Sequence, residues 1–443
     1  MQSIAFDPAN ARAALSELPQ RPAVFALYGE AAHSEPYIGR TPNLRGRLER
    51  LLQPSPKHPK RLQLAGRVRR IAWRLTGSDF ESLLLQFELL HQVYGPKVLE
   101  RMHLGAPAFI RYLGGNPYPR ITVTNKPSQR EADWAYGPFA SRAAAERFAE
   151  EALKLFLLRR CTDELHPDPS HPGCVYSEMK MCLAPCYKGC TDDRYAEESG
   201  AVRDFLATRG ESKLVTLQTE RDAASADLEF EKAASLHAQV QKVEAVRALA
   251  PELVQPISKL RALVLQASAN PDEVALFLFQ DGRLRGPVGF STLGMRIQNE
   301  RSGSSSLFAQ PMALEAIPEM PAVSGQGSGI SMTEGNRDQG TGITESSASE
   351  EASTSPMVAA KPARGVLEAR MEAVLSELMR PIDQSNAVAR QGHLALLKRW
   401  YYRPEVRRVG EAFFPDAEGR WPIKAILRGV GRVAAAAFSA VKP

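Results

Sequence analysis

PAVFALYG at residues 22–29, PYIGR at 36–40 and NLRGR at 43–47 decide how the first hundred residues fold. PAVFALY (22–28) and PYIG (36–39) are short apolar runs joined by the polar GEAAHSE, the pattern of an antiparallel hairpin. Thr41 or Asn43 then caps a basic helix over 43–53. Val68–Leu75 reads as a third strand. Phe80–Tyr94 reads as a helix, with Phe80, Leu83, Leu84, Phe87 and Leu90 recurring on one face. Residues 1–18 read as a short helix ahead of this β-β-α-β-α unit.

Beyond it, 109–140 is strand-like and ends in an expected turn at Tyr136-Gly137-Pro138. Ser141 caps a helix over 142–157. All five cysteines fall within 161–190. Residues 196–250 read as two helices broken near Gly210. RALVLQA and EVALFLF, within 260–288, read as two strands closed by the turn Asp281-Gly282. Residues 300–362 are rich in Ser, Gly, Thr and Glu and carry about −5, so they read as a disordered linker. Helices resume at 364–380 and 386–403, before the basic aromatic stretch KRWYYRPEVRR and a small α/β piece to 443.

The expected architecture is α+β and multidomain. A small antiparallel sheet with helices occupies 18–100, and a β/α region with the cysteine cluster 101–195. A helical region follows at 196–250, a β-hairpin at 254–298, the linker at 300–362 and a basic helical tail at 363–443.

The 443 residues, 44% hydrophobic and 24% charged, suffice for several cores. There is no run of 18 apolar residues and no secretory leader, so the expectation is a cytoplasmic chain without a membrane span. The net charge of +6 is unevenly spread. Arg40 to Arg74 holds eleven Lys/Arg against one Glu, a density that suits a phosphate backbone, DNA being the expected partner.

Chemistry gathers at the same place. Gly39 is read as allowing a sharp turn that presents Tyr37 beside the helix carrying Arg45, Arg47 and Arg50. A phenol oxygen to handle a proton and cations to hold developing charge suit phosphodiester hydrolysis. A strand end beside an ordinary surface helix is the plainer alternative.

The segments PAVFALYG…PYIGRTPNLRGRL resemble the GIY-YIG nuclease domain that opens members of the bacterial UvrC family. The resemblance continues in order through IRYLGGNPYPRITVTN, AYGPFASRAAAERFAEEALKLFLLRRC, CLAPC and LEFEKAASLHAQV. It implies that Tyr37 acts with the attacking water, that Arg40 stands at a position usually Lys, and that Arg47 contacts the scissile phosphate. Phe25 stands at the GIY tyrosine and lacks its hydroxyl. In the family's second helix a final Glu holds a divalent metal, Mg²⁺ or Mn²⁺. Here the segment is Glu81-Ser82-Leu83-Leu84-Leu85-Gln86. A neutral amide is a poor sole protein ligand for Mg²⁺. Glu88 lies about 200° around the helix from Gln86 and Glu81 about 140°. The implied function is a nucleotide excision repair endonuclease making a single-strand incision near a lesion. The alternative is a DNA- and UvrB-binding module that has lost nuclease activity.

Clustered cysteines in a reducing compartment point to metal rather than disulfides. The resemblance selects Cys161, Cys174, Cys182 and Cys186 as ligands of a [4Fe–4S] cluster, with zinc as the alternative and Cys190 as the spare. Leu228-Glu229-Phe230-Glu231-Lys232-Ala233-Ala234 resembles the UVR motif, which implies a UvrB-like partner engaged by Phe230, Glu231 and Ala234. The family's second, RNase H-like nuclease is reduced to its first hairpin, and no acidic catalytic set stands out in 290–443. The aromatics of Lys398–Arg403 either touch DNA or form a helix's core face, the latter being the expectation.

Overall fold

The computed structural model describes residues 1–31, 34–53, 64–125, 135–293, 295, 364–380 and 387–441. The expected linker at 300–362 and part of the basic stretch, 54–63, lie outside them. The described residues contain three four-stranded antiparallel sheets.

The first sheet holds β1 (Gln2–Ala5), β2 (Ala23–Tyr28), β3 (Tyr37–Thr41) and β4 (Arg70–Leu75) in the order β1-β4-β2-β3. The N-terminus was expected to be helical from its first residue. Instead β1 pairs with β4, and only α1 (Ala11–Ser16) is α-helical. Pairing with a sheet edge satisfies backbone groups that a short isolated helix would leave open. α1 and α2 (Leu44–Leu52) bury Leu15, Leu44, Leu48 and Leu52 against Phe25 and Leu27 of β2. α3 (Asp79–Tyr94) packs against β2 and β3. The short α4 (Val98–Arg101) follows.

The second sheet, β5 (Ala108–Tyr112), β6 (Ile121–Thr124), β7 (Ala135–Phe139) and β8 (Gln255–Pro256), runs β6-β5-β7-β8. Tyr136-Gly137-Pro138, expected as a turn, lies inside β7, where Tyr136 pairs with Ile110 and with Pro256. The Gly-Pro pair signals a turn locally, but strands on both sides override it. Ser141 caps α5 (Arg142–Leu153), its Oγ accepting the Ala144 N–H at 3.1 Å. α6 (Val175–Glu178) lies among the cysteines. Three helices follow rather than two: α7 (Asp192–Ala207), α8 (Glu211–Ala226) and α9 (Phe230–Ala248). The second break falls at Leu228, whose φ of 60° ends helical progression.

The third sheet joins β9 (Ala262–Ala267), β10 (Glu273–Gln280), β11 (Arg283–Ser291) and β12 (Glu411–Phe413) in the order β11-β10-β9-β12. Asp281 and Gly282 have φ of 53° and 77°, as a two-residue hairpin turn needs, and Gln280 pairs with Arg283 across it. Residues beyond 363 supply β12 and three helices, α10 (Arg364–Leu378), α11 (Ala387–Tyr401) and α12 (Ile423–Val441). The hairpin and the tail, read separately in sequence, thus share one sheet. Val274, Leu276 and Leu278 of β10 face α10 and α12, whereas Ala275, Phe277 and Phe279 face α3 and α11. Both faces are covered, which accounts for the unbroken apolar run in EVALFLF. Among the described residues no helix is long and apolar enough to cross a membrane.

Phe80, Leu83, Leu84, Phe87 and Leu90 occupy the face of α3 expected to be apolar, and they are buried against this third sheet and α11. Gly392 of α11 lies so close to Phe87 that a Cβ would overlap the ring. Gly392→Ala is therefore expected to destabilise the protein by about 1–2 kcal/mol, overpacking outweighing the gain in helix propensity. Gly200→Ala, in α7 with no atom within 4 Å of the new Cβ, is expected to stabilise by about 0.5–1 kcal/mol. Urea denaturation of both variants checks the pair.

Candidate functional site

Tyr37 opens β3, half-buried, with its ring centroid 6.1 Å from that of Phe25. Asn43 caps α2 by accepting the Gly46 N–H at 2.9 Å. That cap sets the first turn so that Arg47 projects back to β3, its Nη2 3.4 Å from the Tyr37 hydroxyl. Phe25 is fully buried and stands opposite Gly39 in register. A Cβ on Gly39 would lie 2.8 Å from Phe25 Cζ. Glycine is required there by the ring across the strand; the expected sharp turn is absent, because Gly39 sits in mid-strand.

Arg40 is three residues from Tyr37 and so projects from the opposite face of the strand. It pairs with Asp79, the first residue of α3, which also accepts from Arg403 Nη2 at 2.7 Å. Burial would raise the Asp79 carboxyl, but the Arg403 hydrogen bond and the charges of Arg40 and Arg403 outweigh it and hold it below its usual range. Gln86 is half-buried seven residues further along, about 20° from the Asp79 direction and about 10 Å down the axis. Among the described residues Gln86 makes no hydrogen bond to Tyr37, Arg40 or Arg47. The structure thus brings Tyr37 to Arg47 and Arg40 to α3, but does not join all four. Arg45 is half-buried and commits its Nε to the Leu18 carbonyl at 2.7 Å, while Arg50 is exposed.

Neither nearby glutamate replaces the missing carboxylate. Glu81 is buried and accepts the Gly77 N–H at 2.8 Å, serving the start of α3. Burial pushes its carboxyl up, against that hydrogen bond and Arg74. Burial likewise pushes up Glu88, against Arg74 and Arg283, beside a cavity of ≈ 370 Å³ between α3, β11 and α11. The side chains present do not fit a divalent metal at the nuclease-like site.

Cys161, Cys174, Cys182 and Cys186 line one small cavity with Arg159 and Arg160. Cys190 does not line it and packs against the core of α7 to α9. Burial pushes the Cys182 thiol up to about 11, and the charges of Cys161, Cys174 and Cys186 add to the rise. Among the described residues no three His, Cys, Asp or Glu side chains are placed to hold a metal ion. The cavity that the four thiols line is about 10 Å³; four thiolates are the donor set of an iron–sulfur cluster or of zinc. Two donors accompany them: Arg159 Nη1 lies 3.5 Å from Cys161 Sγ, and the Ala184 N–H is 3.3 Å from Cys182 Sγ. Arg159 is buried and also donates to the Tyr118 and Asp163 carbonyls, each at 3.0 Å. Sequence reasoning missed Arg159; its only signal was its position two residues before the first cysteine.

At the α8–α9 connection Leu228 and Phe230 are 71% and 66% exposed, large apolar side chains left uncovered. Glu231 and Ala234 are exposed on the first turns of α9. Lys398 to Arg403 behave otherwise. Trp400 is buried 5.5 Å from Phe80, and the Tyr402 hydroxyl donates to the Pro138 carbonyl at 2.9 Å, so the core reading of these aromatics holds.

Residues 109–205 match the family described as UvrC/Cho excinuclease, middle domain. The UvrABC system protein C of Alcanivorax borkumensis is 31% identical over 243 residues, 55% of this chain and 39% of that protein. The protein of the same description from Haemophilus ducreyi is 30% identical over 241 residues, 54% of this chain and 38% of that protein. The chain thus spans about two fifths of the length of the curated relatives it matches. No solved structure matches it.

Tyr195 links the thiol loop to the second sheet. Its buried hydroxyl donates to the Pro119 carbonyl at 2.8 Å and accepts the Arg159 N–H at 3.2 Å. Tyr195→Phe leaves both groups unpaired and is expected to cost about 1–3 kcal/mol in chemical denaturation.

Proposed function

We propose that this UvrC-like chain serves nucleotide excision repair as a DNA-binding component that docks a UvrB-like partner and carries an iron–sulfur cluster. Its GIY-YIG site then grips phosphate without the metal that hydrolysis requires. One observation carries this reading. The metal position on α3 is the amide Gln86; of the two neighbouring carboxylates, Glu81 is buried and accepts the Gly77 N–H, and half-buried Glu88 lines the cavity between α3, β11 and α11. The process and the DNA partner rest on the similarity to UvrABC system protein C relatives and on the basic 40–74 segment.

In this reading Arg47 and the exposed Arg50 hold the DNA backbone as sequence-independent cations. Tyr37, with Arg47 at its hydroxyl, adds a neutral donor. A [4Fe–4S] cluster would be held by Cys161, Cys174, Cys182 and Cys186, supplying folding free energy to a loop with little apolar core of its own. Arg159 offsets the negative charge of the thiolates from within hydrogen-bonding reach. The exposed Leu228 and Phe230, with Glu231 and Ala234 beside them, form the docking tip for the UvrB-like partner. Zinc, held by the same four thiolates, is the alternative occupant.

The second reading is an incision endonuclease. The Tyr37–Arg47 approach favours it, because Tyr37 would act with the attacking water and Arg47 would contact the scissile phosphate.

A nicking assay on damaged duplex with Mg²⁺ or Mn²⁺ separates the two. The parent protein is expected to bind but not nick, and Gln86→Glu to raise metal-dependent nicking above the parent. Robust nicking by the parent would establish the endonuclease instead. A folded, DNA-bound Gln86→Glu variant no more active than the parent would refute Gln86 as the sole limitation.

Elemental analysis of anaerobically purified protein is expected to find iron and sulfide. Alanine at Cys161, Cys174, Cys182 or Cys186 should each abolish binding, whereas Cys190→Ala should retain most of it. Neither iron nor zinc in the parent would overturn the site, and loss confined to Cys190→Ala would overturn the ligand set.

A further inference from the structure

Asp79 is shared by two guanidinium groups that come from opposite ends of the chain. Arg40 reaches Oδ1 from β3, and Arg403 reaches Oδ2 from just beyond α11 at 2.7 Å. Arg403 is delivered rigidly. Trp400 Nε1 donates to the Val409 carbonyl at 3.0 Å, and the Tyr402 hydroxyl donates to Pro138 on the second sheet. Asp79 is fixed as well, because it begins α3, where the helix dipole favours a carboxylate and Ser78 caps the turn.

A carboxylate facing one arginine can take it in a two-point fork. A carboxylate facing two gives each a single oxygen. Arg40 has an exposed side chain (38%), so its donors beyond that one bond remain accessible. Arg40 lies in β3 but projects from the face opposite Tyr37, so its contact is separate from the Tyr37–Arg47 pair.

We propose that Arg403 is a positioning residue for a phosphate contact made by Arg40, on the face of β3 opposite Tyr37. By occupying Asp79 Oδ2 it restricts Asp79 to a one-point hold on Arg40, which leaves the rest of the Arg40 guanidinium for a DNA phosphate. The end of α11 thereby sets the strength of a DNA contact made by the first sheet. This rests on the reading of the N-terminal domain as a DNA-binding surface.

The test is the affinity of the full chain for a short undamaged duplex, measured over a series of KCl concentrations. Arg403→Ala should let Asp79 take Arg40 in a fork. Binding should then weaken by roughly tenfold near 0.1 M salt, and the salt slope should fall by about one. Arg403→Lys should recover part of the loss. Asp79→Asn should free Arg40 and tighten binding, and adding Arg403→Ala to it should change nothing further. That epistasis is not expected of a residue that only stabilises the fold. Circular dichroism verifies that each variant is folded, and the Asp79→Asn arm stands even if Arg403→Ala is not.

An equal loss from Arg403→Ala in the parent and in the Asp79→Asn background would overturn the proposal in favour of direct DNA contact. So would an Asp79→Asn variant that binds no more tightly than the parent. If alanine at Arg45, Arg47 and Arg50 abolishes binding while Arg403→Ala leaves it intact, only the positioning role fails. A parent that binds no duplex removes the DNA-binding reading and this proposal together.

Discussion

The described structure depends on the burial of one face of α3 against the third sheet and α11. Phe80 sets its ring edge-on to Phe277 at 5.2 Å and beside Trp400, and Phe87 fills the gap left by Gly392. Five large side chains of this face are buried, each worth about 1.5–3 kcal/mol relative to exposure. Exposed ion pairs contribute about 0–1 kcal/mol each. Apolar burial therefore holds the first sheet to the C-terminal residues, and the Arg40–Asp79–Arg403 bridge adds geometry more than stability.

The same packing decides which acidic groups are available for chemistry. α3 has four acidic or amide side chains near the nuclease-like position, and each is committed differently. Asp79 is held by two arginines, Glu81 closes the start of the helix, Glu88 is half-buried at a cavity it shares with Arg283, and Gln86 carries no charge. Burying a carboxylate is costly unless it is paired, so the buried Glu81 is tied to the Gly77 N–H and is unavailable to a metal. The thiol loop obeys the same rule with the opposite sign. Four thiols line one small cavity, and the buried Arg159 cation lines it with them.

Several features were legible in the chain. The hairpin of β2 and β3, the Asn43 and Ser141 caps, the Asp281-Gly282 turn and the apolar face of α3 all follow from neighbours within a few residues. The grouping of four cysteines apart from Cys190 came from resemblance to a family; in the structure those four line one small cavity. Other elements were misread for a common reason. β1 became a strand because β4 offers it an edge, and Tyr136-Gly137-Pro138 became a strand because β5 and β8 flank it. Gly39 is needed for the Phe25 ring across the sheet, not for its own backbone.

The sequence by itself determined the local elements and the residue types at each chemical position, including the amide at Gln86 and the clustered thiols. Period, capping and turn chemistry act over a few residues, so a linear reading reaches them. Only the tertiary structure decided that residues beyond 363 complete the sheet begun at 262, and that Arg403 meets Asp79. It also decided that Glu81 is spent on the Gly77 N–H and that Glu88 faces a cavity away from Tyr37. These outcomes depend on which surfaces meet, and hydrophobic burial, being non-directional, does not encode in any short segment the partner it will find.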